Sequence, residues 1–134
     1  MRKFSKKSLE RLGTCHPDLI RLFNKVIEVT DCTVLCGFRG EEEQNEAVRQ
    51  GNSKTPWPKS KHNTRPRSMA VDVAPYPIDW SDHRRFYYFA GVVMGVADSL
   101  GISIRFGGDW NGNFNLKDEN FFDLVHFELK ENPK

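Results

Sequence analysis

Four side chains stand out by type and setting: His62, Asp72, Asp123 and His126. Asp72 falls inside Ala70-Val71-Asp72-Val73-Ala74, where burying an unpartnered carboxylate costs on the order of several kcal/mol even after relaxation. It requires a cation, strong hydrogen-bond donors or a metal. Strand alternation puts Ala70, Asp72 and Ala74 on one face, and the small neighbours leave space beside the carboxylate. His126 is set between Val125 and Phe127, which point the other way. Two imidazoles and one carboxylate make a three-ligand set, the number that leaves zinc's fourth position open. Asp123, three residues before His126, could then act on a water there as general base. A plainer reading stays open on spacing alone, because the set is spread over 64 residues. In it, Asp72 caps a turn and His126 is a hydrogen-bonded core histidine.

The elements that must position these residues follow from periodicity. Pro17 opens a helix whose apolar positions are Leu19, Ile20, Leu22, Phe23, Val26 and Ile27. Thr33 to Phe38 is a short β-prone run ending in Arg39-Gly40. Glu41 to Gln50 reads as a helix, with acidic residues in its first turn, Arg49 in its last and Gly51 as its stop. Asn52 to Ser68 has no period and reads as a long ordered loop. Met69 to Ala74 is a strand. Ser81-Asp82 caps a long helix with a buried stripe of Phe86, Phe89, Ala90, Val93, Met94, Ala97 and Leu100, broken at Gly101. Strands follow at Ile102 to Phe106 and Leu124 to Leu129, separated by a polar loop. The class is α+β, a small antiparallel sheet with helices on one side.

The chain has 134 residues, 38% of them hydrophobic, which supports one compact domain over residues 1–134 and excludes wholesale disorder. Twenty Lys and Arg against eighteen Asp and Glu give +2, too little for a dedicated nucleic-acid binder. No window approaches the roughly 18 apolar residues of a membrane span, so no stable membrane insertion is expected. The basic N-terminus lacks the apolar stretch of a signal peptide, which points to a protein kept in the cytoplasm where it is made. Cys15, Cys32 and Cys36 are odd in number and read as reduced thiols, with Cys32 and Cys36 as small strand residues. Cys15-His16 fits no familiar zinc-finger spacing.

Ser60-Lys61-His62 followed by Ala70-Val71-Asp72-Val73-Ala74-Pro75 resembles the paired motifs of the VanY-type, D-alanyl-D-alanine carboxypeptidase-like zinc peptidases. Arg105-Phe-Gly-Gly-Asp-Trp110 and Asp123-Leu-Val-His126-Phe-Glu-Leu129 are similar to the phage L-alanyl-D-glutamate endopeptidase (endolysin) branch, and Gly37-Phe38-Arg39 to the family's arginine-bearing strand end. These matches run in order from about Leu35 to Leu129. The resemblance implies a Hedgehog/DD-peptidase-like fold and Zn2+ held by His62, Asp72 and His126. It implies Asp123 as general base and Arg39 as a substrate-binding or oxyanion-steadying cation, a role that suits a fixed guanidinium. Ser60 falls where relatives carry a serine near the metal, as a positioning or substrate contact. The implied substrate is the peptidoglycan stem peptide, attacked by a monomer released from the host bacterial cytoplasm. Other readings are a D-alanyl-D-alanine carboxypeptidase of the same family and a non-catalytic wall-binding module.

Relatives commonly have a shorter histidine-to-aspartate gap containing a glycine; here it is ten residues, basic and without glycine. Asp123 and Val125, in place of the carboxypeptidase branch's glutamate and tryptophan, favour the endopeptidase branch. Ideal alternation would put Asp123 and His126 on opposite faces, so a turn or bulge must intervene before Leu124. Asp109 to Asn115 carries oxygen side chains at alternate positions, as calcium loops do. It lacks their glycine and final glutamate, and reads as a polar loop. Trp57 and Trp110 fit either a groove lining or a lid on the core. The Lys54 to Arg67 cations are a solvated loop or an attractor for anionic wall polymer. Glu41 to Glu46 reads as a solvated helix face.

Overall fold

The computed structural model describes residues 2–130. Among them are four helices, α1 (Lys6–Leu12), α2 (Pro17–Val29), α3 (Glu41–Arg49) and α4 (His83–Leu100), and four strands. The strands are β1 (Cys32–Cys36), β2 (Ala70–Pro75), β3 (Ile104–Phe106) and β4 (His126–Leu129), in the fully antiparallel order β1-β2-β4-β3. The α+β class and the antiparallel sheet match the expectation from sequence.

One sheet face is the core. Val71 and Val73 of β2 with Phe127 and Leu129 of β4 pack against Leu22, Phe23 and Val26 of α2 and Phe89 and Val93 of α4. Phe127 sits at its centre, with ring centroids 5.6 Å from Phe23, 6.2 Å from Phe89 and 5.4 Å from Phe106. The two long helices lie against this face because each carries an apolar stripe at helical spacing. Pro17 occupies the first turn of α2, and His16 caps it by accepting from Asp18 N at 3.0 Å. Asp82 caps α4, and Gly101 closes it at φ 73°, a conformation that favours glycine.

Helix α1 is an element the sequence pattern did not announce. It has seven residues, of which only Ser8 and Leu12 are buried, too few to form a readable stripe. Its work is at the sheet edge: Ser8 Oγ accepts from Val34 N at 3.0 Å, and Arg11 Nη1 donates to Val34 O at 3.1 Å. Those contacts satisfy backbone groups that an edge strand would otherwise leave open.

Two strands are shorter than the hydrophobic runs suggest. β3 begins at Ile104, because Ile102 is spent on the α4 cap, where its N–H bonds Ala97 O at 2.9 Å. β4 begins at His126 rather than Leu124, because Asp123 O accepts from His126 N at 3.1 Å and closes a turn over the residues between. The long loop 52–68 is ordered, as expected, around a single 3-10 turn at Lys61–Asn63.

Candidate metal centre and cleft

The second sheet face carries the polar residues. Register pairs Asp72 of β2 directly with His126 of β4, and Ala70 with Glu128, so these side chains share the face opposite Val71 and Phe127. The loop brings His62 onto the same face. Ser60 Oγ accepts from His62 N at 3.2 Å and Asn63 Oδ1 from Ser60 N at 3.0 Å, which closes the 3-10 turn. That turn is tied to the segment after β1: Arg39 N donates to His62 O at 2.8 Å, and Asn63 Nδ2 to Arg39 O at 2.9 Å.

His62 Nε2, Asp72 Oδ1 and His126 Nδ1 converge, with separations of 3.1, 3.2 and 3.4 Å among the three atoms. An ion with four tetrahedral bonds of about 2.1 Å has donor-to-donor edges of about 3.4 Å, so the trio matches three corners of that polyhedron. His62 Nδ1 lies 2.8 Å from Gly37 O, a carbonyl that can only accept, so this nitrogen carries hydrogen and, in the neutral ring, Nε2 keeps the lone pair. His126 Nε2 lies 2.7 Å from Glu128 Oε1 and donates to it, which leaves Nδ1 free. In their neutral forms both imidazoles therefore present a lone pair to the same point, the arrangement of metal-binding histidines. These three residues could hold a metal ion, and among the described residues no other group of histidine, cysteine and carboxylate side chains converges this way.

Without an ion the surrounding charges favour a shared proton on the trio, which a bound metal would displace. Burial pushes His62 down, but the charge and hydrogen bond of Asp72 outweigh it and raise the imidazole to about 10. Burial would raise Asp72, yet His62 and His126 together hold it well below the usual carboxylate range. Its second oxygen accepts from Arg39 Nη2 at 3.2 Å. Glu128 is depressed despite burial, because His126, Lys61 and Arg105 favour its ionised form. Lys61 and Arg105 each stand 3.5 Å from its Oε2.

Asp123 reaches the open side of the trio, with Oδ2 3.9 Å from His126 Nδ1. Burial first, and the Asp72 charge second, push its carboxyl up to about 6. The turn anticipated ahead of β4 is what brings it there. Gly107 helps to pin it: Gly107 N donates to His126 O at 2.8 Å and Asp123 N to Gly107 O at 2.9 Å. Arg39 is shared between Asp72 and Gln44, to whose Oε1 Nη1 donates at 3.0 Å, while its side chain stays 15% exposed. Ser60 serves the turn that carries His62 and lines the cleft beside it.

Sequence reading missed three contributors. Gln44 lies in the acidic helix yet is fully buried, bonding Arg39, Ser53 Oγ at 3.0 Å and Thr55 O at 2.6 Å. Glu128 shares the His126 face by simple alternation, a signal that was available. The Gly37 carbonyl has no sequence signature. Trp110 lines the cleft, its ring 5.4 Å from that of His126 and its Nε1 donating to Phe121 O at 2.6 Å. Trp57 is half-buried. Residues 111–117 form successive Asx turns, Asn113 accepting from Asn115 N at 2.8 Å and Asn115 from Lys117 N at 3.1 Å. Cys15 and Cys32 are buried and all three cysteines are free thiols.

Residues 1–130 match the family model of phage L-alanyl-D-glutamate peptidases. The chain is 34% identical to the L-alanyl-D-glutamate peptidase of Escherichia phage T5, over 95% of this chain and 97% of that protein. Its fold is similar to the crystal structure of the L-Ala D-Glu endopeptidase ChiX of Serratia marcescens. That match has a TM-score of 0.70 and 28% identity and covers 96% of this chain and 91% of the other.

Proposed function

Because the chain belongs to the phage L-alanyl-D-glutamate peptidase family, we propose that it is a zinc-dependent endolysin. Its reaction is hydrolysis of the amide between L-alanine and D-glutamate in the peptidoglycan stem peptide. The single observation that carries this reading is the convergence of two tautomer-locked imidazoles and one carboxylate on a point open to a cleft, with Asp123 beside it. A structural zinc site is normally closed by four protein ligands; three plus a nearby carboxylate suits a catalytic one and disfavours a purely structural wall-binding module.

His62 Nε2, Asp72 Oδ1 and His126 Nδ1 would hold the ion. When bound, zinc supplies a Lewis acid that acidifies water and polarises the scissile carbonyl. Asp123, poised near neutrality, takes a proton from the attacking water as its oxygen bonds the alanyl carbonyl carbon. The carbon–nitrogen bond then breaks, and Asp123 returns the proton to the departing D-glutamate nitrogen. Arg39 has N–H donors beyond the two spent on Asp72 and Gln44, and they suit the carbonyl oxygen as charge develops on it. Among the described residues no helix is long and apolar enough to cross a membrane. The protein acts as a monomeric catalytic unit on the wall after release from the host cytoplasm.

Mass spectrometry of the soluble products from purified sacculi, with a chelator-treated control, tests the reading. New fragments with D-glutamate at their amino end, absent with chelator, are the expected result. Loss of the terminal D-alanine alone would instead make the protein a carboxypeptidase, and intact sacculi after treatment with zinc-loaded protein would refute both activities.

A further inference from the structure

The candidate centre lies between two arms of one cleft, and their charges are opposite. Arg39, Asn52 and Asp123 border both. One arm, of about 1010 Å3, is lined by Glu42, Glu43 and Glu46 of α3 with Arg49, and by the exposed rings of Trp80 and Phe122. The other, of about 460 Å3, is lined by Lys54, Lys59, Lys61 and Arg105 against two carboxylates, Glu128 and the shared Asp123, and contains His62 and His126 themselves. Lys61 and Arg105 are engaged with Glu128. Lys54 and Lys59 have no carboxylate partner among the described residues. The Lys54 ammonium is stationed 4.8 Å from the centroid of the Phe121 ring, at the arm's wall.

This asymmetry bears on how a stem peptide lies across the centre. The placement that follows rests on the hydrolysis proposed above. The amide to be cut joins the alanyl carbonyl to the α-nitrogen of D-glutamate, whose γ-carboxyl continues the chain. The α-carboxylate therefore hangs on the same carbon as the leaving nitrogen and must come to rest beside the reacting atoms. It is the formal charge nearest the scissile bond. The glutamate-lined arm repels it, and the lysine-lined arm attracts it.

We propose that Lys54 and Lys59 form a subsite for the free α-carboxylate of D-glutamate, and that this subsite makes the enzyme select stems with that group free over stems in which it is amidated. The alanyl side, and the neutral sugar from which it hangs, then takes the arm of Trp80 and Phe122. Both lysines are exposed, so the discrimination is that of screened charges rather than of a buried ion pair.

The test uses the zinc-loaded full chain and two synthetic peptides, L-Ala-γ-D-Glu-L-Lys and its α-carboxamide counterpart, with the kcat/KM ratio between them as readout. The expected ratio is about tenfold in favour of the free acid, shrinking as salt rises. Lys54→Met with Lys59→Met should bring it near one, and Lys54→Glu with Lys59→Glu should invert it. Because each ratio is taken on one enzyme sample, an inactive fraction cancels. Equal cleavage of both peptides by the unaltered protein overturns the subsite and leaves the hydrolysis standing. A preference that survives in the double Met variant removes it from these lysines. Failure to cleave either peptide overturns the subsite together with the activity on which it rests.

Discussion

Nε2 of His126 lies 2.7 Å from Oε1 of Glu128, two places along the same buried strand, so one ligand of the candidate centre is held by its own sheet face. The carboxylate is itself held by Lys61 and Arg105, and the chain of contacts fixes both the tautomer and the ring angle of His126. Glu128→Ala should weaken metal binding roughly 10- to 100-fold. Glu128→Gln keeps an acceptor oxygen without the charge and should fall between. Competition against a chelator of known affinity measures both, and unchanged affinity in Glu128→Ala would remove the orienting role.

Asp123 and His126 are three residues apart yet have separate tasks in the proposed reaction. His126→Ala deletes a donor and should abolish stoichiometric metal, read by elemental analysis after gel filtration. Asp123→Ala deletes no member of the converging trio and should keep the metal while losing at least about 100-fold in kcat, the usual size of a lost general base. Near-full turnover in Asp123→Ala would end its assignment as base.

The metal-free protein should have a distinctive pH profile. His62 stands at about 10 in the fold against an ordinary 6.5, so its contribution is complete below pH 6.5 and disappears as the pH rises through 10. Asp72 shifts the other way from an ordinary 3.8, so its contribution is present above that value and is lost in stronger acid. Asp123, held up at about 6 against an ordinary 3.8, adds stability that is complete below the ordinary value and lost as the pH rises through 6. Chelator-treated protein should therefore melt highest near pH 4, lose some melting temperature by pH 6.5, and decline further toward pH 10 as His62 loses its proton. A profile flat from 6.5 to 10 would contradict the His62–Asp72 pairing.

How much of this could be read from the chain alone divides along physical lines. The convergence of His62, Asp72 and His126 was legible because a carboxylate in an apolar strand and a histidine in another are each costly without partners. The helices α2 and α4 were legible because their stripes repeat over several turns. Asp123 was harder, since strict alternation puts it on the wrong face. Only the turn from Asp123 to His126, closed by one backbone hydrogen bond, reverses that. Gln44 was not legible at all. The α3 residues around it are mostly exposed and many are charged, and its burial depends on a loop that returns at Ser53 and Thr55. Helix α1 escaped for a similar reason, its purpose being to satisfy an edge strand formed over 20 residues later.

Burial pushes the thiols of Cys15 and Cys32 up to about 12. Thiolate is the reactive form, so neither should react with a thiol reagent at pH 8 while the protein is folded. Titration with a chromogenic disulfide should reach all three cysteines only after denaturation. Rapid labelling of Cys15 or Cys32 in folded protein, located by peptide mapping, would show that the core around α2 and β1 opens readily.

Gly107 is the point where the turn holding Asp123 and the strand holding His126 are pressed together. A Cβ there would lie 2.2 Å from Asp123 O and 3.0 Å from His126 Cβ, and the first of these is backbone that cannot rotate away. Gly107→Ala must therefore push the turn outward, stretching the bonds from Gly107 N to His126 O and from Asp123 N to Gly107 O. The expected cost is about 1 to 3 kcal/mol of stability, the range for overpacking. Activity should fall much further than stability, because the displacement moves the proposed base and a proposed ligand relative to one another. Gly95→Ala is the matched control, since a Cβ at that helical position meets nothing within 4 Å. It should leave turnover unchanged and raise the melting temperature slightly. Denaturant melts and turnover measured on both variants decide the matter, and a Gly107→Ala protein as stable and as active as Gly95→Ala would show that the turn does not set the geometry of the centre.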